Sequence, residues 1–275
     1  MKKIILFLTI LGLISCEKRY KEIVKYDTTG TVVTKSYLDS NQKLDSLIQY
    51  ENKKVVFKMY FNKLNTNYCY VNQFDYRGKL NAEGNYVNKI KIGKWIYYNS
   101  KMKTKKIVQY INLCGSEYPN QVWTYNDQDV LLNNIWVFDA KDSLSKNLSS
   151  YYNYKLDNTK ILKDKSYELE INYVSMLKTD HSEYVPKLNS SHSILIMSPD
   201  FDKNFCNITD SKIKKDTLGS YPLQNHWIIN IKFASKGRKY FRGFIEEYWN
   251  EKGTKKGYVQ PMKKRTYINI PIFVN

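Results

Sequence analysis

An aromatic residue followed by Asp, Glu or Asn recurs at Tyr26-Asp27, Tyr50-Glu51, Phe74-Asp75, Tyr98-Asn99 and Tyr125-Asn126, at intervals of 24, 24, 24 and 27 residues. Self-similarity at a fixed period restricts a chain to stacked units, each too small to bury a face alone. Gly30 and Gly78 stand four residues after the aromatic in two copies, and apolar residues resume as Val32-Val33, Val55-Val56 and Val130-Leu131. A strand ending in an aromatic, an Asx-type turn and a β-rich return strand together make a hairpin. The pattern predicts an antiparallel sheet of 24-residue hairpins over residues 23–140.

The fullest copy runs from Glu83 to Tyr110, EGNYVNKIKIGKWIYYNSKMKTKKIVQY. Strand alternation places Gly93, Trp95 and Tyr97 on one face and Lys94, Ile96 and Tyr98 on the other. Gly93 is expected to leave room beside Trp95 for an aromatic ring of the neighbouring hairpin. This segment resembles the variant MORN repeat, whose pattern is Gly-x-Trp-x-x-aromatic, a polar turn, Gly-Lys-aliphatic and a later Tyr. The close match covers residues 84–110, with weaker ones over 24–38, 74–80 and 121–138. Met102 stands where the turn glycine is expected, and no other copy carries the whole Gly-x-Trp.

The resemblance implies consecutive hairpins in one elongated, twisted antiparallel sheet with no active site. Such repeats occur in scaffolds, in membrane-proximal proteins and in antitoxin or immunity partners. Gly93, Trp95, Tyr97, Trp123, Tyr125 and Trp136 are expected to pack the sheet. A single-layer sheet leaves some aromatics half exposed, and such a stripe suits a partner. The face of Lys94, Ile96 and Tyr98 is the candidate contact surface, because its lysine needs water.

Residues 141–165 turn rich in Ser, Lys and Asn and form either a linker or, through Tyr152-Asn153, a worn last repeat. Alternation returns in Tyr167–Val174, Ile194–Met197, Trp227–Phe233, Tyr240–Trp249 and Thr266–Val274, and no helical stripe competes. Residues 166–275 are therefore expected to form a second antiparallel β domain, with a sandwich as one arrangement. Gly243 suggests a bulge and Pro271 an edge position. The fold class is mainly β throughout.

The first residues, MKKIILFLTILGLISC, pair a Lys2-Lys3 positive end with an apolar stretch from Ile4 to Ile14, too short to span a bilayer. Leu13-Ile14-Ser15-Cys16 resembles the bacterial lipobox. That resemblance implies a signal peptide over 1–15, cleavage before Cys16, and its lipidation by thioether and acyl chains, palmitate among them. Residues 16–22 then form a charged tether, and the domains stand outside the cytoplasm on a bacterial membrane. Glu17 in place of Asp favours the outer one where it exists. Cys69, Cys114 and Cys206 are odd in number and are expected as free, buried thiols.

The net charge of +18 invites a nucleic-acid reading, but only five of 44 basic residues are Arg, and the lysines are dispersed. Nucleic-acid surfaces favour Arg, so solvated surface lysine is the expectation and nucleic acid is not a partner. A mean hydropathy of -0.57 excludes a polytopic membrane protein.

No constellation of catalytic type stands out. His181-Ser182-Glu183 lacks the Pro-Cys-x-x-Cys of a zinc deaminase, and His181, His192 and Glu183 fit a solvated loop better than a metal site. Ser191-His192-Ser193 has no nucleophile elbow. Glu246 and Glu247 point to opposite faces of a strand and cannot act as a pair. Asp127 and Asp129 belong to a turn. The expectation is a non-enzymatic envelope lipoprotein that binds an unidentified envelope protein or glycan through its repeat sheet, without cofactor or metal. An immunity-type lipoprotein that neutralises a toxin is the alternative, and an envelope hydrolase the remote one.

Overall fold

The computed structural model describes residues 20–132, 149–156, 160–175, 192–219, 225–252 and 259–275. These residues form sixteen strands and, among them, no helix. The chain divides into two compact units between Lys89 and Ile90. That division falls within the repeat array, whereas the composition shift lies at 141–165.

The first unit holds β1 (Lys21–Tyr26), β2 (Val32–Leu38), β3 (Leu44–Glu51), β4 (Lys54–Phe61), β5 (Tyr68–Phe74) and β6 (Leu80–Val87). The second opens with β7 (Ile90–Tyr98), β8 (Thr104–Leu113) and β9 (Ser116–Thr124). β1 to β9 follow in chain order in one nine-stranded antiparallel sheet. Each 24-residue period is thus one hairpin, two strands and two turns.

Five turns share one local chemistry, because a short carboxylate or amide can accept from its own backbone. The Oδ1 atom of Asp27 accepts from Thr29 and Thr31 N–H at 2.8 and 2.9 Å. Asp39 accepts likewise from Asn41 and Lys43, Asp75 from Arg77 and Lys79, Asn99 from Lys101 and Lys103, and Asn126 from Gln128 and Val130. Three residues after each, φ turns positive: Gly30, Gln42, Gly78, Met102 and Asp129. Met102, at φ 62°, therefore takes the left-handed conformation that glycine takes in two other copies.

The Tyr50-Glu51 copy departs from the expected chemistry. A glutamate is one methylene too long to close this ring, and the chain instead turns through Asn52 and Lys53, both at positive φ (49° and 63°). Asp39 has the right chemistry without an aromatic before it, and it marks the opposite end of the strands.

The rest of the second unit comprises β10 (Tyr151–Leu156), β11 (Ser166–Val174), β12 (His192–Met197), β13 (Asp216–Gly219), β14 (His226–Lys232), β15 (Gly237–Lys252) and β16 (Val259–Val274). They make a three-stranded sheet, β10-β11-β14, and a four-stranded one, β13-β12-β15-β16. Alternate residues point inward: Leu169 and Ile171 of β11, Ile229 and Ile231 of β14, and Ile268, Ile270 and Ile272 of β16 share one core with Leu195 and Ile245. Two sheets packed over one core form a sandwich, and each such side chain contributes about 1.5–3 kcal/mol of burial. β10 lies within the Ser- and Lys-rich stretch and pairs with β11.

Gly243 forms no bulge, for β15 pairs with β12 and β16 without a register shift. A Cβ there would stand 2.7 Å from the Ile196 carbonyl oxygen, so close approach of β12 requires the glycine. Pro271 sits in β16, the outer strand of its sheet.

The reverse face of β15 and β16 carries a smaller core of Phe201, Phe205, Phe244 and Tyr267, packed against Ile111, Leu113 and Tyr118 of β8 and β9. Buried Asn120 of β9 clamps this junction, donating to the Tyr267 carbonyl at 2.8 Å and accepting its N–H at 2.6 Å. Tyr118 donates to the Arg265 carbonyl.

Candidate functional site

The β4–β5 register sets Tyr60 directly opposite Tyr70, and both are exposed. Ser46 pairs with Tyr60 and with Tyr37, so Tyr37, Ser46, Tyr60 and Tyr70 form one row across β2 to β5. Two residues along, Lys35, Ile48, Lys58 and Asn72 form the next row on that face. Lys35 pairs with Glu22 at 2.9 Å, an ion pair whose first effect is to raise the lysine pKa. Lys58 lies 5.6 Å from the Phe74 ring. A shallow hollow lined by Thr29, Thr31, Lys35, Tyr50 and Lys53 adjoins these rows. The reverse face carries Cys69, Val71 and Ala82, all buried. The reverse face is closed at these three residues and half-buried at Leu47, Phe57 and Met59, while the first face presents the Tyr60 and Tyr70 rings to solvent. Sequence reading missed Tyr37, Tyr60 and Tyr70. Their alignment emerges only once every turn, including that at Asp39, is located.

In the second unit, Trp95 is 0% exposed. Tyr97 and Tyr110 lie beside it, each with its ring centroid 6.5 Å away, Tyr110 edge-on. The Lys91 ammonium stands 5.0 Å from both the Trp95 and Tyr110 rings, and the two tyrosine hydroxyls meet at 2.8 Å. Tyr110, on β8 of the same hairpin, is the cross-strand partner of Gly93. Gly93 itself serves no slot, since nothing lies within 4 Å of an added Cβ; its φ of 66° is what calls for glycine.

Lys94 is exposed and Ile96 and Tyr98 are half-buried. The Lys94 ammonium covers the Trp123 ring at 5.0 Å, a cation–π contact. Trp123 thus shares the face of Lys94 rather than that of Trp95, and its other neighbour is Tyr151 of β10, stacked at 5.4 Å. Tyr125 is half-buried beside a bridge to Leu131. Asp127 is indeed a turn residue, taking Asn99 and Lys101 side chains at 3.3 and 3.9 Å.

Glu246 and Glu247 are both buried, at 4% and 1% exposure, and face opposite ways. Glu246 meets Arg265 and Lys263. Glu247 accepts from Tyr173 at 3.0 Å and from Ser175. Close by, Lys264 donates to the Ser150 hydroxyl at 2.6 Å, and desolvation lowers its pKa to about 8. A serine beside a lysine of lowered basicity resembles a nucleophile with its base. Ser150, however, is 0% exposed and shares its hydroxyl with Tyr173, so the group is sealed from a substrate. Burial first, then the Glu247 charge, holds the Tyr173 phenol well above its ordinary range.

Cys69 is buried, as expected; Cys114 and Cys206 are free but exposed, against expectation. Among the described residues no group of three His, Cys, Asp or Glu is placed to hold a metal ion, and no helix is long and apolar enough to cross a membrane. Cys16, Trp136, His181, Glu183 and Ser191 lie outside the described residues, as does the His192 side chain.

No family model and no curated protein matches the chain. Solved structures similar to part of it include TarM, at 12% identity and a TM-score of 0.24, covering 47% of this chain and 21% of that one. Another is a point mutant of S. aureus TarM in complex with fondaparinux, alpha-GlcNAc-glycerol and UDP, at 13% identity and a TM-score of 0.21, with the same coverage. The chain spans about a fifth of the length of these proteins, and likeness of this degree transfers neither fold nor function.

Proposed function

We propose that the protein is a lipid-anchored cell-envelope protein acting as a non-enzymatic binding module, with the tyrosine- and lysine-bearing face of its repeat sheet as the contact surface. The observation that carries this is the cross-strand row of Tyr37, Tyr60 and Tyr70 beside Lys35 and Lys58. Tyrosine rings offer flat apolar area with a hydroxyl at the rim, at low entropic cost. They stack on sugar rings or on an extended peptide, and the Lys58 ammonium attracts anionic groups. The lipobox-like end at Cys16 supplies the address, and thioether lipidation there supplies the membrane partner.

Two measurements test the two halves. Cys16→Ser should abolish fatty-acid labelling and release the protein from the membrane fraction; persistent labelling refutes the anchor. The purified protein should be retained on immobilised cell-wall glycan or envelope protein. Tyr60→Ala with Tyr70→Ala should weaken that retention at least tenfold at unchanged melting temperature. Retention unaffected by the double variant overturns the assignment of the face.

A further inference from the structure

Cys114 and Cys206 lie 92 residues apart in the chain, yet each thiol stands 3.9 Å from the same acceptor, the Asn204 carbonyl. Interaction with the nearby Cys206 thiol, and after that desolvation, pushes the Cys114 thiol up to about 11. Exposure sets them apart from Cys69, since an unpaired cysteine is ordinarily among the most buried residues.

Local structure gives Cys114 no turn-forming reason to be a cysteine. It opens the tight β8–β9 turn with φ 52°, followed by Gly115 at 86°, a place that suits Asn, Asp or Gly. Cys206 sits in a loop held by Asp202, whose Oδ1 accepts from the Asn204 and Cys206 N–H groups at 2.7 and 3.1 Å. Phe201 and Phe205 of that loop enter the small core that also receives Leu113. Both thiols are therefore carried by segments anchored in one core.

We propose that Cys114 and Cys206 form a redox-active pair that closes to an intramolecular disulfide, joining the β8–β9 turn to the 199–215 loop. The oxidant is the disulfide of a small-molecule or protein thiol. The Cys206 thiolate attacks one of its sulfurs, expels the other as thiolate and leaves a mixed disulfide on Cys206. Cys114 loses its proton to solvent, attacks the Cys206 sulfur and expels the second thiol. The two cysteines give up two protons and two electrons in all, and the oxidant leaves as two thiols. Closing a loop of this length restricts the unfolded chain and raises stability. The inference rests on the envelope address only for where the oxidant is met.

The test treats detergent-extracted full-length protein with oxidised glutathione at mildly alkaline pH, then denatures and alkylates it. Apart from the one alkyl group on Cys69, the mass of the chain should be lower by two hydrogen atoms. A peptide containing Cys114 should be joined to one containing Cys206, with Cys69 alone alkylated, and the melting temperature should rise by several degrees. Cys114→Ser and Cys206→Ser should each yield a glutathione adduct on the remaining exposed thiol, without the rise in melting. Separate glutathione adducts on both cysteines of the unaltered protein, or a bond to Cys69, overturns the proposal. Thiol trapping in intact cells separates it from the address: a bond formed by glutathione in vitro with both thiols free in cells supports the pair and refutes the envelope location.

Discussion

Along β2 and β3 most side chains are half-buried, whereas β11 and β14 alternate between sealed and solvent-facing positions. The first pattern belongs to a sheet whose stability comes from register, turn chemistry and neighbour-on-neighbour contact. The second belongs to a sandwich whose inner residues are buried, Leu169 and Ile171 completely. The lesson is that the repeat strands keep side chains available for contact, while the sandwich gives up that freedom for a closed core.

Truncation should expose the difference most sharply. Leu169→Ala, in the sandwich core, should lower unfolding free energy by about 2–5 kcal/mol, and Leu47→Ala, half-buried in β3, by about 1 kcal/mol. Equal losses in urea titrations would erase the contrast. Next in size is Asn120→Ala, which strands the Tyr267 N–H and carbonyl at the junction and should cost about 2–4 kcal/mol. A loss under half of that, measured the same way, would mean that water replaces the amide.

Acidity probes the sealed side of the comparison. Burial lowers the Lys264 pKa to about 8, so below that pH the fold holds an ammonium in a poor environment. The unfolded chain binds its proton more tightly, and stability therefore climbs as pH rises from 8 towards 10. Above 10 the direction reverses, because burial holds Tyr152 up to about 12 and Tyr173 well above its ordinary range, while unfolded tyrosines ionise. The gain between about pH 7.5 and 9.5 should be about 1–2 kcal/mol, and Lys264→Met should remove it. A flat profile in the unaltered protein would refute the depressed lysine.

The smallest effect tests the open side. Met102→Gly should stabilise the protein by about 0.5–1 kcal/mol, since glycine takes the left-handed conformation without strain. A destabilised variant would show that the Met102 side chain matters more than its backbone.

Much of the repeat sheet is legible in the sequence because its turns are local: Asp27, Asp75, Asn99 and Asn126 each close a ring with their own backbone. Glu51 misleads because the spacing fits and the side-chain length does not. Asp39 escapes any pattern that requires an aromatic before the turn. Opposite orientation of Glu246 and Glu247 follows from strand periodicity, but their burial does not, since it depends on residues as distant as Tyr173, Ser175 and Arg265. The meeting of Cys114 with Cys206 is likewise tertiary, and no spacing in the chain foretells it.

The clamp at Asn120 has a consequence beyond the junction itself. A strand at the margin of a sheet exposes a row of unused N–H and carbonyl groups, an invitation for another chain to add on. β16 is such a strand, yet Asn120 occupies both groups of Tyr267, Tyr118 occupies the Arg265 carbonyl, and Ile161 bridges to Val274 at its far end. Pro271, between them, has no N–H to offer. The side chains of β9 thus take the place of a further strand over this part of the margin, and the groups they occupy are not open to an added chain.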